Sequence, residues 1–380
     1  MKSLVVLANS EMTAGANQSL LDWVTNRDKK QLDIYILMPK DNTETRKLFE
    51  AQDCTVWVGH YFFNIKYIKT FKKNCREFIK FIISFFINPI TRYIIGKKIQ
   101  SEKIDIIHTN SFSCVYGVQL AKKFDLPHIW HIREFMQEDH GHSWFYSKKR
   151  ISQYCSYSTA IYISDVVKEV IEKKFKFKKS YTVINQVRYS SSFKKTRKFM
   201  EDGKCNILIV GSIDPGKGQE QAIKAVKQLH SAGYNVQLSI CGTGDFNLIN
   251  YLLDNDTKKY IQCLGFRNDV EEVRKENDIA LVCSRMEAFG RVTVEALYYK
   301  NIVVAAKAGC TPYIIRSGVN GYLYELDNID DLVSKILFCI QNKDKMDKLA
   351  NRASLNAIAE YSKSIYSKVY TIYKETVSNE

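Results

Sequence analysis

None of the ten cysteines forms a CxxC pair, and none joins histidines at a zinc-binding spacing. Cys241, Cys263 and Cys283 sit in or beside apolar runs and read as buried thiols of a reducing cytoplasm. No uncharged run reaches the ~18–20 residues that cross a bilayer. Internal repeats and long low-complexity tracts are lacking too. Acidic residues are in short supply, at 41 Asp and Glu against 56 Lys and Arg, for a formal charge of +15. Such an excess favours an anionic partner: nucleic acid, acidic lipid or a phosphorylated ligand. What remains is ordinary globular usage, with 45% apolar and 26% charged residues. That excludes a fibrous, mostly disordered or multi-span membrane protein. A chain of 380 residues suggests two domains or one large one. The opening MKSLVVLANSEM reads as a first β-strand rather than a signal peptide.

Short Val- and Ile-rich runs alternate with helical patterns along the whole chain. They are Leu4–Leu7, Ile34–Met38, Thr55–Val58, Ile104–His108, His128–His131, Ala160–Ile163 and Thr182–Ile184. After a break come Asn206–Val210, Gln237–Cys241, Tyr260–Leu264, Ile279–Cys283, Ile302–Ala306 and Gly321–Tyr324. Strands apolar throughout and separated by helices argue for α/β architecture with parallel sheets covered on both faces. They are too many for one comfortable sheet. The stretch 188–204, with three consecutive serines, many charges and no apolar period, reads as a linker. The expected organisation is therefore two Rossmann-like domains, 1–187 and 205–360, facing across a cleft. A C-terminal helix, 361–380, is free to return to the first domain. Ligands bind at the carboxyl ends of strands in such sheets, so the cleft is the default site.

The run Phe78–Ile95 is strongly apolar but interrupted by Lys80, Asn88, Pro89 and Arg92. Lys66, Lys69, Lys72, Lys73 and Arg76 precede it, and Lys97 and Lys98 follow. It reads either as a pair of core helices broken at Asn88–Pro89 or as a basic, aromatic-rich surface on anionic lipid. The two readings are compatible.

Four segments carry candidate chemistry. The turn Gly211-Ser212-Ile213-Asp214-Pro215-Gly216-Lys217-Gly218 follows a strand and opens a helix, where amides and a mobile cation suit an oxyanion. It is not a P-loop, because no Lys-Ser/Thr pair follows its final glycine. The segment Arg285-Met286-Glu287-Ala288-Phe289-Gly290-Arg291 runs from a strand into a helix bearing Glu295. Were the whole stretch helical, Glu287 and Glu295 would stand ~80° apart and about 12 Å apart along the axis. A loop can fold back and turn both carboxylates to one ligand. A first-turn Glu295 satisfying the helix dipole is the simpler alternative. His131 ends a strand and is either a cleft residue or a core histidine. Gly15 and Ala16 form a small-residue turn after the first strand. Asp254-Asn255-Asp256 and Glu138-Asp139-His140-Gly141-His142 offer ligands for a metal, but they read more simply as a helix end and a solvated loop.

Together these segments resemble the retaining glycosyltransferases of family 4, which have the GT-B fold. The signature E-x-F-G-x-x-x-x-E-A stands here from Glu287 through Glu295 to Ala296. The resemblance extends over nearly the whole chain, including Gly15–Ala16, His131, Lys217–Gly218, Gly309-Cys310-Thr311-Pro312 and the stretch from Ser317 to Leu323. It implies that Glu287 contacts donor-sugar hydroxyls, Glu295 binds the donor ribose, and Lys217 neutralises the diphosphate with the amides around Phe289, Gly290 and Arg291. It places His131 near the reacting sugar and Gly15 with Ala16 near the diphosphate. No metal and no cofactor are implied, because cations and amides do the charge work. Ser212, after Gly211, stands where the family has Arg, and Arg285 or Arg291 are candidates to supply that charge. Cys310 and Tyr313 depart from a Gly-Gly-x-Pro-Glu pattern.

The expectation is a cytoplasmic enzyme, peripheral at the inner face of the membrane. It would move a hexose from a nucleoside diphosphate sugar, uridine-linked, to a lipid-linked saccharide in surface-polysaccharide synthesis. A non-catalytic sugar-nucleotide binder, an epimerase and a basic nucleic-acid binder are the alternatives. For the last, the basic residues gather into no recognised motif.

Overall fold

The computed structural model describes residues 1–12, 14–62, 64–68, 71–190 and 197–378. Lys69, the side chains of Lys72, Lys73 and His140, and positions 191–196 of the expected linker lie outside the described residues. The chain divides into two compact units: Met1–Gln186 with Ser364–Glu380, and Val187–Lys363.

The first unit opens with β1 (Lys2–Val6), α1 (Gly15–Thr25), β2 (Asp33–Met38), α2 (Thr43–Glu50), β3 (Thr55–Val58), β4 (Ile65–Tyr67) and α3 (Phe71–Glu102). It continues with β5 (Ile106–Thr109), α4 (Tyr116–Phe124), β6 (His128–Ile132), α5 (Gln137–His140), β7 (His142–Trp144), α6 (Lys148–Tyr157), β8 (Thr159–Tyr162), α7 (Asp165–Glu172) and β9 (Lys179–Thr182). Seven of these strands make one parallel sheet in the order β3-β2-β1-β5-β6-β8-β9. Strand order reverses between β1 and β5, the switch point at which such sheets take ligands. β1 is buried on both faces, as are Ile106 and Ile107 of β5, so the run reads as uniformly apolar.

The second unit repeats the scheme with β10 (Cys205–Val210), α8 (Gln219–Ser231), β11 (Val236–Cys241), α9 (Asn247–Asn250), β12 (Ile261–Gly265), α10 (Val270–Lys275) and β13 (Ile279–Val282). Then follow α11 (Arg291–Tyr298), β14 (Ile302–Ala306), α12 (Thr311–Ile314), β15 (Tyr322–Tyr324), α13 (Ile329–Gln341) and α14 (Lys343–Tyr361). Its parallel sheet runs β12-β11-β10-β13-β14-β15, with the switch between β10 and β13. The last helix, α15 (Tyr366–Val377), belongs to the first unit. It buries Val369, Ile372 and Tyr373 beside Trp23, Ile34 and Ile106.

Several elements differ from the sequence reading. The last strand of the first sheet is Lys179–Thr182, not Thr182–Ile184. Its register pairs Ile161 with Tyr181, and the apolar Val183 and Ile184 follow it. β4 and β7 pair antiparallel in a small ribbon, so the expected solvated loop over 138–142 is a helical turn and a strand. α3 runs unbroken through Asn88–Pro89 as a single helix of 32 residues. Among the described residues it is the helix long and apolar enough to cross a membrane by length and composition. Asn88 explains the continuity: its side chain accepts from the Phe62 amide at 3.0 Å and donates to the Phe62 carbonyl at 3.1 Å. Those bonds hold the helix where Pro89 removes one of its own. Cys263 is exposed because β12 is an edge strand, while Cys241 and Cys283 are buried.

Candidate functional site

In the second unit, the carboxyl ends of β10 and β13 bring the two principal motifs together. Asp214 shapes the first turn. Its carboxylate accepts from the Ser212 hydroxyl at 2.6 Å and from the Gly216 amide at 2.8 Å. Gly211 begins this turn, and its amide donates to the Cys241 carbonyl at 2.9 Å. Gly218 closes it with φ +71° as the residue capping α8. A Cβ there would stand 2.2 Å from the Cys283 carbonyl oxygen, so only glycine lets the turn lie against the end of β13. Gly216 accepts from the Arg285 amide at 2.8 Å, fastening the two loops edge to edge.

Across that seam Lys217 Nζ meets Glu287 Oε1 at 2.7 Å. The Glu287 side chain is only 10% exposed, which strengthens the pair relative to a surface one. Its backbone is fixed from behind: the Glu287 carbonyl accepts from the Cys310 amide at 2.8 Å. Gly309, with φ +54°, approaches so closely that a Cβ would stand 2.5 Å from the Glu287 amide nitrogen. The departure at Cys310 thus falls on a residue that serves through its backbone.

Gly290 caps α11, whose first turn exposes amides without helical partners and a favourable dipole for anions. Phe289 is buried and packs edge-on against Tyr361. One turn in, Glu295 holds two cations: Arg291 Nε donates to it at 2.9 Å and Arg274 Nη2 at 3.3 Å. Arg274 is 2% exposed, so this buried guanidinium fixes the carboxylate from below. Arg285, a candidate for the charge missing at Ser212, forms a bidentate pair with Asp327. That pair holds the Arg285 guanidinium above its ordinary pKa. A cavity of about 600 Å³ opens beside it, with Asp214, Gly218, Lys224, Tyr251, Arg285 and Asp327 in its wall.

In the first unit, Gly15 and Ala16 open α1 at the end of β1. No atom comes within 4 Å of where a Gly15 Cβ would stand. The Ala16 carbonyl accepts from Asn110, which follows β5, so this turn sits at the switch point. His131 is fully buried at the end of β6. Burial, then the nearby Arg133 and His108, hold its pKa well below the ordinary value, so the ring is neutral. Arg133 Nη2 lies 3.3 Å from His131 Nδ1. A guanidinium can only donate, so Nδ1 accepts and the proton sits on Nε2. Nε2 has no hydrogen-bond partner among the described residues. Arg133 is itself fixed by Asn110 at 2.8 Å and Asn185 at 2.9 Å.

Among the described residues neither metal candidate gathers ligands, and the His140 side chain lies outside them. Asp254 Oδ1 accepts from the Asp256 and Thr257 amides, and Asp139 from the Phe135 amide. Among the described residues no three of His, Cys, Asp and Glu could share an ion. Sequence reasoning placed Asp214 in the first turn without giving it a role, and missed Arg274 and Asp327. Each is an ordinary surface residue by type, and its role appears only with its partner.

Residues 191–356 match the family described as Glycosyl transferases group 1. An uncharacterised glycosyltransferase of Methanocaldococcus jannaschii is 30% identical over 276 residues, 69% of this chain and 72% of that protein. An uncharacterised 41.2 kDa protein of the Klebsiella pneumoniae cps region is 24% identical, over 63% of this chain and 70% of that protein. Among solved structures, Anabaena HepE in complex with UDP superposes with a TM-score of 0.76 at 19% identity over the full length of both chains. The same protein has been solved with UDP-glucose. The mixed α/β architecture with parallel sheets is that of GT-B glycosyltransferases.

Proposed function

Since the chain belongs to the group 1 glycosyl transferases, we propose that it is a retaining enzyme of family 4. It moves a hexose from a nucleoside diphosphate sugar, uridine-linked, to a hydroxyl of a lipid-linked saccharide. The second unit binds the donor and the first the acceptor. The setting is surface-polysaccharide synthesis, with the protein peripheral at the cytoplasmic face of an anionic membrane. The cps origin of one relative and the UDP-glucose bound to HepE support this reading.

The observation that carries it is the Lys217–Glu287 pair at the switch point of the second sheet. Without donor, each group neutralises the other. A bound donor supplies both with better partners: its diphosphate takes Lys217, and its sugar hydroxyls take Glu287. The α11 amides share the diphosphate charge, and Glu295, braced by Arg274 and Arg291, accepts from the ribose hydroxyls. As the anomeric bond breaks, negative charge grows on the diphosphate against Lys217 and these amides. The leaving diphosphate then takes the acceptor proton on the same face, which returns the original anomeric configuration. His131, fully buried in the first unit, is assigned to the reacting sugar by the family resemblance alone.

The test is a melting screen against nucleoside diphosphate sugars, followed by the anomeric configuration of the product. A cognate donor at a hundredfold its Kd adds about 2.7 kcal/mol to stability. A product of inverted configuration, or no stabilisation by any such donor, overturns the proposal.

A further inference from the structure

The last turns of α3 bury Ile95 and Ile99 in the core of the first unit, but the part before them is amphipathic the wrong way round for a core helix. Its inward face carries Ser84, Asn88 and Thr91, all buried and bonded to backbone carbonyls or amides. Its outward face carries Ile79, Phe85, Phe86, Ile90, Tyr93 and Ile94, with Phe86 71% and Tyr93 65% exposed. Counted at 100° per residue, the exposed side chains from Phe85 round to Ile94 fill about half of the circumference. The stripe from residue 78 to residue 94 is about 24 Å long. A monomer in water does not gain by exposing so large a contiguous apolar face.

Three observations choose its occupant. The face is a half-cylinder, far wider than the narrow seam of a paired helix. Lys80 and Lys98 stand at one azimuth on one border of the stripe, and Arg92 lies on the other. Between Phe71 and Lys98 the chain holds a single acid, Glu77, already bonded to Lys80 at 2.6 Å. A second antiparallel copy of α3 would therefore set cations against cations. An anionic lipid surface offers the opposite charge at the border and hydrocarbon at the centre. Crossing the bilayer is a different matter, because α3 is tied along its inner face. Asn88 is bonded to Phe62, Thr91 to His60, and Arg92 to Gln119 at 3.2 Å.

We propose that α3 lies in the plane of an anionic membrane and inserts its outward apolar face, with the bordering cations at the headgroups. This deepens the membrane part of the functional reading and rests on it. The surface it describes belongs to the first unit, to which acceptor binding is also assigned. A lipid-linked acceptor would thus be met in two dimensions rather than three.

The experiment uses the full-length protein and vesicles of phosphatidylcholine with or without phosphatidylglycerol. The parent should bind the anionic vesicles. Ile79→Gln, Phe86→Gln and Tyr93→Gln should each weaken binding about tenfold with little change in melting temperature, because these side chains are exposed. Tryptophan placed by Ile79→Trp, Phe86→Trp or Tyr93→Trp, read as the difference from the parent, should be quenched equally by lipids brominated at one depth. Graded quenching along the helix means a crossing helix and overturns the inference. Binding equal to the parent in all three Gln variants also overturns it, while leaving membrane association by another surface intact. No binding by the parent removes the membrane part of the functional reading as well. A dimer dissolved by Phe86→Gln, with no vesicle binding, assigns the face to a second copy and sinks the proposal.

Discussion

Lys217 and the two glutamates look alike as charged residues but differ in what holds them. Lys217→Ala removes a side chain from a turn already shaped by Asp214, so the loop geometry survives. It strands the carboxylate of Glu287, which is nearly buried, at a cost of about 1–3 kcal/mol. Catalysis should suffer more. A cation aimed at developing charge is worth about 10²–10³ in rate, so kcat should fall by that factor while donor affinity falls less. Steady-state kinetics check this, and an unchanged kcat/KM takes Lys217 out of the site. The glutamates should separate. Glu295→Gln should weaken binding of the nucleoside diphosphate itself, which carries the ribose but no hexose. It should also lower the melting temperature, because buried Arg274 loses its counter-charge. Glu287→Gln should leave diphosphate affinity nearly intact and depress turnover. Calorimetric binding beside kinetics reads the difference, and equal loss of affinity in both variants means the two roles are not distinct.

At the scale of elements, Asn88 joins α3 to the segment after β3 by two bonds to one residue, Phe62. Asn88→Ala leaves a backbone N–H and C=O without their partner. It should cost about 2 kcal/mol, read as a lower midpoint in urea unfolding with an unchanged slope. An unchanged midpoint would mean that Pro89 is tolerated for some other reason. The same helix marks where the sequence stops being legible. The parallel strands are visible because β1, and Ile106 and Ile107 of β5, are apolar on both faces. The ribbon of Ile65–Tyr67 and His142–Trp144 is not, because each strand is three residues long and half polar. Asn88–Pro89 looks like a helix boundary by local propensity, and only the distant Phe62 overrides it. The Glu287–Glu295 spacing and the glycine turn are local and were readable. Arg274 and Asp327 were not, since their partners lie 21 and 42 positions away. Nothing in a single sequence marks a charge pair at that range.

Across the whole molecule, the titrating chemistry is unevenly divided. All four tryptophans, Trp23, Trp57, Trp130 and Trp144, belong to the first unit, as do three fully buried histidines. The second unit holds one histidine, His230, exposed and stacked on Tyr260. Burial lowers His128 from 6.5 to about 3 and holds His108 and His131 well below 6.5. The hydrogen bonds of His128 fit the neutral ring. Ser158 donates its hydroxyl to the Tyr154 carbonyl, so it accepts from His128 Nδ1 at 2.7 Å, and Nε2 accepts from Thr109 at 2.8 Å. A depressed histidine contributes stability that is fully present above its unfolded pKa and is lost as pH falls. Below pH 6.5 the unfolded chain takes up protons that the folded one refuses. Each such group then subtracts about 1.4 kcal/mol per pH unit, down to its folded pKa. Carboxylates scarcely titrate between pH 7 and 5, so that window isolates the histidines. Urea unfolding followed by tryptophan fluorescence should show a midpoint that drops steeply from pH 7 to pH 5. His128→Gln should flatten that drop by about one proton's worth, whatever it does to stability at pH 7. A tryptophan-detected midpoint that stays level between pH 7 and 5 would show that these rings are charged, or reached by water, in the folded protein. It would also unseat the tautomer assigned to His131, which depends on the same burial.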